Sequence, residues 1–308
     1  VLFGHHTTIG PYAFAKSNIL RLDVPATWDT VPEGLCSYCD RLHTLNLPDT
    51  LVGIGASAFE ECGALTQLTL PSSLVYIGDY AFQGDQLIGH NGTLLLPNTL
   101  ETIGAHAFDG QQLLTEVALP PAADDASSEG GYPRSRLRAI GESAFLNVRL
   151  RSMPLPQSLT RLGARAFSGN QLAHVTIPKR LQEIPERAFE AGEPYSPLIL
   201  EFVAGSELKS IGASAFAWHT FAGDVDFSPL GSGLVIGDKA FENSVFMRHL
   251  TLSTDVSYGT QVFDSCQIET VTVPAGAVMG NRMFYSARGL KTVRIDTDAV
   301  ADGAFGGA

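Results

Sequence analysis

The chain has 308 residues, which suggests about two domains of ~150 residues each, and carries 20 Lys and Arg against 32 Asp and Glu for a net charge of −12. That balance argues against a nucleic-acid binder, which needs a basic face to replace phosphate counterions, and no run of ~18 apolar residues is present to span a bilayer. The start, Val1-Leu2-Phe3-Gly4-His5-His6, lacks the basic region and apolar stretch of a signal peptide. Charged residues are 17%, below the ~25% usual in soluble domains, while 31 Gly and 17 Pro point to frequent turns. The aromatic count is lopsided, with 17 Phe against 8 Tyr and 2 Trp.

A six-residue phrase punctuates the chain. It stands as Ile54-Gly55-Ala56-Ser57-Ala58-Phe59, Ile77-Gly78-Asp79-Tyr80-Ala81-Phe82 and Ile103-Gly104-Ala105-His106-Ala107-Phe108. It returns as Ile140-Gly141 with Ala144-Phe145 and as Ile211-Gly212 with Ala215-Phe216. Weaker copies start at Ile9, Val31, Leu162, Ile184, Ile236, Tyr258, Met279 and Val300. The thirteen starts lie 21 to 27 residues apart, apart from one interval of 37 between Ile103 and Ile140.

A second phrase follows each first one: Leu42-His43-Thr44-Leu45-Asn46-Leu47-Pro48, Leu65-Thr66-Gln67-Leu68-Thr69-Leu70-Pro71, and Leu172-Ala173-His174-Val175-Thr176-Ile177-Pro178. Alternation with period two predicts a short strand with every second residue buried, and proline ends it because it cannot donate to a ladder. One short strand cannot bury its apolar side alone, whereas stacked units can, each touching only its neighbours. The spacing therefore predicts a solenoid over 1–308, a single body of about thirteen repeats, with a loop insertion at 121–138. Phe14, Phe59, Phe82, Phe108, Phe145, Phe167, Phe189, Phe216, Phe241, Phe263, Phe284 and Phe305 share one repeat position. They are expected to form an interior ladder, the small Ala before most of them allowing the next rung to approach. The Gly after Ile is expected to supply a backbone angle that a side chain resists.

The unit Leu-x-x-Leu-x-Leu-Pro-x-x-Leu-x-x-Ile-Gly-x-x-Ala-Phe-x-x-Cys is fullest from Leu65 to Phe82, with Ala58-Phe59-Glu60-Glu61-Cys62 as its tail. It resembles the BspA-like, treponemal-type leucine-rich repeat, and it departs from the commoner leucine-rich pattern by placing Pro where Asn or Cys follows the strand. The resemblance implies a right-handed, curved, β-rich solenoid of the α/β horseshoe class, with short strands on the concave face and short turns or 3-10 segments elsewhere. It also implies a secreted or surface protein of bacteria or some parasitic protists, located outside the cell, on its surface or in the periplasm. Members of that family are associated with adhesion to host cells or matrix proteins and with binding between bacteria.

Cys36-Ser37-Tyr38-Cys39 has the spacing of a redox or metal motif. The repeat register opposes that reading: Cys36 takes the ladder position, and Cys39, Cys62 and Cys266 fall three residues after it, so buried small residues are expected. Cys39 and Cys62 sit on adjacent rungs, ~4.8 Å apart, within reach of a disulfide. His174 and His249 share a strand column but stand three rungs apart. Gly55-Ala56-Ser57 lacks the second Gly of a nucleophile elbow, and Asp296-Thr297-Asp298 with Asp302-Gly303 lacks the bidentate Glu of a calcium loop. No enzyme, cofactor or metal is expected.

Binding is expected on the outward strand residues. Leu95, Ala118 and Pro154 occupy one column on consecutive rungs and make a candidate apolar patch. Glu201, Asp224 and Asp226 make a candidate acidic cluster, which would bind a cation or a basic partner, or in the weakest reading supply the carboxylates of a carbohydrate-active enzyme. The insertion carries Asp124-Asp125 first and Tyr132, Arg134, Arg136 and Arg138 after, and insertions in repeat arrays map to loops that often bind. The leading expectation is a non-enzymatic scaffold that binds a protein, from the host matrix, a host cell or another bacterium, through the concave face and inserted loops. The alternative is a surface or periplasmic protein with a small hydrophobic ligand in a pocket near Leu95, Ala118 and Pro154. With no polar capping unit visible after Phe305, the array is expected to continue in a longer protein, to self-associate through bare ends, or to be closed by its frayed ends.

Overall fold

The computed structural model describes residues 9–87, 92–119, 135–194, 196–223, 225, 227, 230, 232–246 and 249–308. It falls into two compact units, Val1–Phe167 and Ser168–Ala308, built on the same plan. The fullest rungs run from a primary strand through a proline-marked corner to a two- or three-residue second strand and then a turn segment.

All strand pairs are parallel, and their register reproduces the repeat alignment. In the first unit Val31, Ile54, Ile77, Ile103, Ile140 and Leu162 pair in succession across a six-stranded sheet. In the second, Ile184, Ile211, Ile236 and Tyr258 do the same across four strands. Each of these residues opens a copy of the six-residue phrase. A one-residue slip would turn every buried side chain outward, so the apolar pattern itself holds the register.

Behind the sheets lies the phenylalanine ladder. Phe59, Phe82, Phe108, Phe145 and Phe167 stack in the first unit with centroids 5.3 to 5.5 Å apart. Phe189, Phe216, Phe241, Phe263, Phe284 and Phe305 stack at 5.2 to 5.6 Å in the second. The rings lie within 19° of parallel, and that spacing is an offset-stacked arrangement in which neighbouring quadrupoles attract.

The turn segments correct one expectation. Among the described residues there is neither an α-helix nor a 3-10 segment, so the back of the rung is not that of an α/β horseshoe. Alternate amides there leave the rung: those of Ser57, Phe59 and Glu61 donate to the carbonyls of Asp79, Ala81 and Gln83 at 2.7, 2.9 and 2.8 Å. The amides between them close tight turns, Ala58 onto Gly55 and Glu60 onto Ser57, both at 3.3 Å. Ser57 and Glu61 are left-handed, with φ of 51° and 56°, and the pair recurs at Tyr80 and Gly84, His106 and Gly110, and Lys239 and Asn243. A left-handed residue every fourth position interrupts helix propagation.

The glycine after Ile plays a different part from the one expected. Gly78, Gly104, Gly141, Gly163 and Gly212 do not have left-handed φ. A Cβ on them would instead lie 2.2 to 2.6 Å from a backbone nitrogen of the preceding rung. Hydrogen is the only side chain the contact admits.

The second unit is thicker than the repeat pattern alone predicts. The strand Ser196–Phe202 runs for seven residues, with buried and exposed positions alternating. Its later half pairs with His174–Ile177, and its earlier half pairs with His219–Phe221, which in turn pairs with Val245–Phe246. Two long intervals, 27 and 25 residues from Ile184 to Ile211 to Ile236, supply the extra chain. Phe202, Phe221, Phe227 and Phe246, off the ladder, pack into this thickening, with Phe221 and Phe246 stacked at 4.9 Å and Phe227 edge-on to Phe241 at 5.8 Å.

Phe108→Ala is expected to destabilise the chain by about 3–5 kcal/mol, because it opens a cavity between two stacked rings; urea unfolding followed by circular dichroism measures it. Gly104→Ala is expected to cost about 1–3 kcal/mol through forced backbone displacement. In the same assay Gly10→Ala, at a site with nothing within 4 Å of the added carbon, should leave the midpoint unchanged.

Candidate functional site

The strand face of the first unit brings the apolar candidates together. Leu95 pairs with Ala118 in the ladder between Thr93–Leu95 and Glu116–Ala118. The parallel bridge from Glu116 to Ser152 places Pro154 one rung further in the same column. Leu95 is 54% exposed, Ala118 is half-buried and Pro154 is exposed. Alongside runs a polar column, in which Thr93 Oγ1 donates to Glu116 Oε2 at 3.1 Å. The result is an apolar ledge with a polar margin. In sequence it is flanked by 88–91 and 120–134; Tyr132 and Arg134 lie outside the described residues. Arg138, at the far side of that insertion, pairs with Glu101 at 2.7 Å.

On the strand face of the second unit, Glu201 is exposed but already engaged. His174 Nε2 lies 2.9 Å from Glu201 Oε2, and Thr176 Oγ1 donates to the same oxygen at 3.2 Å. The His174 hydrogen bond holds the Glu201 carboxyl below the usual carboxylate range. Beside His174 stands Ile199, 46% exposed, an apolar member of this face that composition did not single out. Asp224 and Asp226, the other members of the expected acidic cluster, lie outside the described residues.

A cavity of about 310 Å³ occurs in the second unit. Its lining comes from three successive rungs, with Val245 and Phe246, then Gln267, Ile268 and Glu269, then Arg288, Gly289 and Lys291. Lys291 Nζ meets Glu269 Oε1 across it at 2.7 Å. No single repeat carries a motif for this site, because each contributes only two or three ordinary residues. A third surface was also illegible: on the turn edge of the first unit Tyr12, Tyr38 and Tyr80 are exposed, and Tyr80 stacks on His106 at 4.9 Å.

The cysteines form no bonded pair, and all four are buried thiols. Cys39, Cys62 and Cys266 each point the thiol at the ladder carbonyl of the preceding rung, on Phe14, Cys36 and Phe241, at 2.9, 3.1 and 3.0 Å. Burial pushes the Cys36, Cys62 and Cys266 thiols up, away from the thiolate that nucleophilic or metal chemistry requires. Among the described residues no three His, Cys, Asp or Glu converge as metal ligands, and no helix is long and apolar enough to cross a membrane.

Three comparisons bear on this architecture. No curated protein matches the chain. A leucine-rich repeat protein from Bacteroides ovatus is 22% identical over 92% of this chain and 81% of its own, with a TM-score of 0.51. A leucine-rich cell surface protein from Faecalibacterium prausnitzii is 18% identical over 96% and 86%, at 0.49, and the pneumococcal vaccine antigen PcpA is 21% identical over 84% and 69%, at 0.45. The model of the BspA-type leucine-rich repeat region matches residues 7–129, 132–219 and 209–307, in six copies. Close-packed rungs, an in-register Ile column and a Phe ladder are thus the build of a named repeat: the chain belongs to the BspA-type leucine-rich repeat family.

Proposed function

We propose that this chain is a non-enzymatic interaction scaffold of a bacterial surface or secreted protein, an adhesin-like module that holds a host matrix protein, a host-cell protein or a bacterial partner. The observation that carries the reading is the apolar ledge of Leu95, Ala118 and Pro154, in register on three rungs and presented to solvent beside a polar column. An exposed apolar strip with a polar margin is the composition of a protein contact. The family supports the same reading, since leucine-rich repeats serve protein recognition. In this proposal the stacked rungs of the first unit are right-handed and curved, with the ledge on their concave side. The residues of the insertion, Tyr132 and Arg134 among them, and Glu201 with Asp224 and Asp226, add the polar contacts that select the partner.

Surface-plasmon measurements against fibronectin, laminin and host-cell membranes should show saturable binding to at least one of them. Leu95→Asp should weaken that binding about tenfold or more, as loss of a central apolar contact does, while thermal unfolding stays within about 0.5 kcal/mol of wild type because the side chain is exposed. The absence of saturable binding across the panel would count against adhesion, and unchanged affinity in the variant would move the contact elsewhere.

A further inference from the structure

Three residues after each ladder position, the chain presents an interior column that repeats once per rung. Some rungs fill it with Val148, Gly192 or Ala287, but six members that carry a donor share one task. Cys39, Cys62, Gln111, His219, Ser244 and Cys266 all direct a side-chain donor at the ladder carbonyl of the preceding rung, on Phe14, Cys36, Phe82, Phe189, Phe216 and Phe241. Sulfur, amide, imidazole and hydroxyl thus serve interchangeably at these six rungs, each offering a hydrogen to the carbonyl.

Asp85 occupies this column in the fourth rung, fully buried, and an ionised carboxylate has no hydrogen. Its Oδ1 accepts the Cys62 amide at 2.6 Å, and its Oδ2 is buried without a partner. The ladder carbonyl below it, on Phe59, receives no donor from the described residues. In several rungs the amide of the column residue turns back onto its own ladder carbonyl, as Cys39 does onto Cys36 at 3.0 Å. In the third rung the Cys62 amide has turned to Asp85 instead, which leaves Phe59 to be served from above. Ser244 shows the complete arrangement: its hydroxyl accepts the His219 amide at 3.2 Å and donates to the Phe216 carbonyl at 3.1 Å. A carboxylic acid can perform both tasks at once, and a carboxylate only the first.

We infer that Asp85 is a neutral carboxylic acid in the folded protein, its Oδ2–H donating to the Phe59 carbonyl, so that a titratable proton completes the seam between the third and fourth rungs. The surroundings favour this state. Burial pushes the Asp85 carboxyl well above its ordinary range, the Glu61 carboxylate of the preceding rung pushes the same way, and only the Cys62 amide opposes. The Cys62 thiol is turned away onto the Cys36 carbonyl, and the following rung presents Gln111, an uncharged amide, at the same column position. The unfolded chain releases this proton near pH ~4, and the folded chain releases it higher. The folded state therefore binds the extra proton between those values, and stability falls as pH rises through that window.

The test is urea unfolding of the full chain and of Asp85→Asn, which keeps an acceptor for Cys62 and a donor for Phe59 without a proton to lose. The ratio of the wild-type unfolding constant to that of the variant should rise with pH above about 4, where the unfolded chain has lost the proton, with a slope of up to about tenfold per pH unit. Infrared spectra of the chain labelled with carbon-13 aspartate should show a neutral carboxylic-acid stretch at pH 7, where ordinary aspartates are ionised, and the band should vanish in the variant. A ratio that is flat or falls with pH would overturn the inference. If Asp85→Asn fails to fold, the wild-type spectrum decides alone, and carboxylate bands without an acid band at pH 7 overturn it.

Discussion

In the described turn segments that have a following rung, the amides face a choice between closing a helix within the rung and reaching the next rung, and alternate ones reach across. The left-handed residues at Ser57 and Glu61, and at their counterparts along both units, put successive amides in opposite directions. Much else follows from that division. Bonds to the next rung bring backbones close enough that only hydrogen fits at Gly78, Gly104 and Gly141. The same approach sets the Phe rings at stacking distance, with the small Ala before most of them and Val262 and Met283 before Phe263 and Phe284. Non-glycine residues in the left-handed region cost roughly 1 kcal/mol each relative to the right-handed one, and the inter-rung bonds and ring stacking offset that cost repeatedly along the chain.

Much of this was legible before any coordinates. The phrase with Ile, Gly, Ala and Phe located the second strands, and the strand register then paired the same residues that alignment of the phrases pairs. The ladder was legible because stacking imposes one side chain at one repeat position. What escaped notice had no period to announce it. The extra strands at His219–Phe221 and Val245–Phe246 occur in only part of the second unit, and their trace in the sequence was an increase in repeat length that resembles an ordinary loop. The role of the glycine was misassigned for a different reason: a close approach and a left-handed angle both demand glycine, and composition cannot separate them.

The candidate surface was partly legible for the same reason as the fold. Leu95, Ala118 and Pro154 could be placed on one column because outward strand positions alternate with buried ones, and the bridge from Glu116 to Ser152 carries that column onto a third rung. The cavity lined by Phe246, Ile268 and Arg288 could not be foreseen, since it spans three rungs and none of them carries a signature of its own there. Conversely, Cys36 and Cys39 carry a familiar spacing with no corresponding chemistry, because the rung directs one thiol to the ladder and the other to a carbonyl beneath it.

The glycine contacts also bear on how such chains change length. At those positions backbone rests against backbone, so the separation between rungs does not depend on which side chains either rung carries elsewhere. A unit duplicated or lost between two such contacts would seat on its new neighbour at the same distance and in the same register, with its Phe already placed over the ring below. Recombination can therefore lengthen or shorten the array without posing a new packing problem, and the outward columns are then free to diverge on a frame that stays constant.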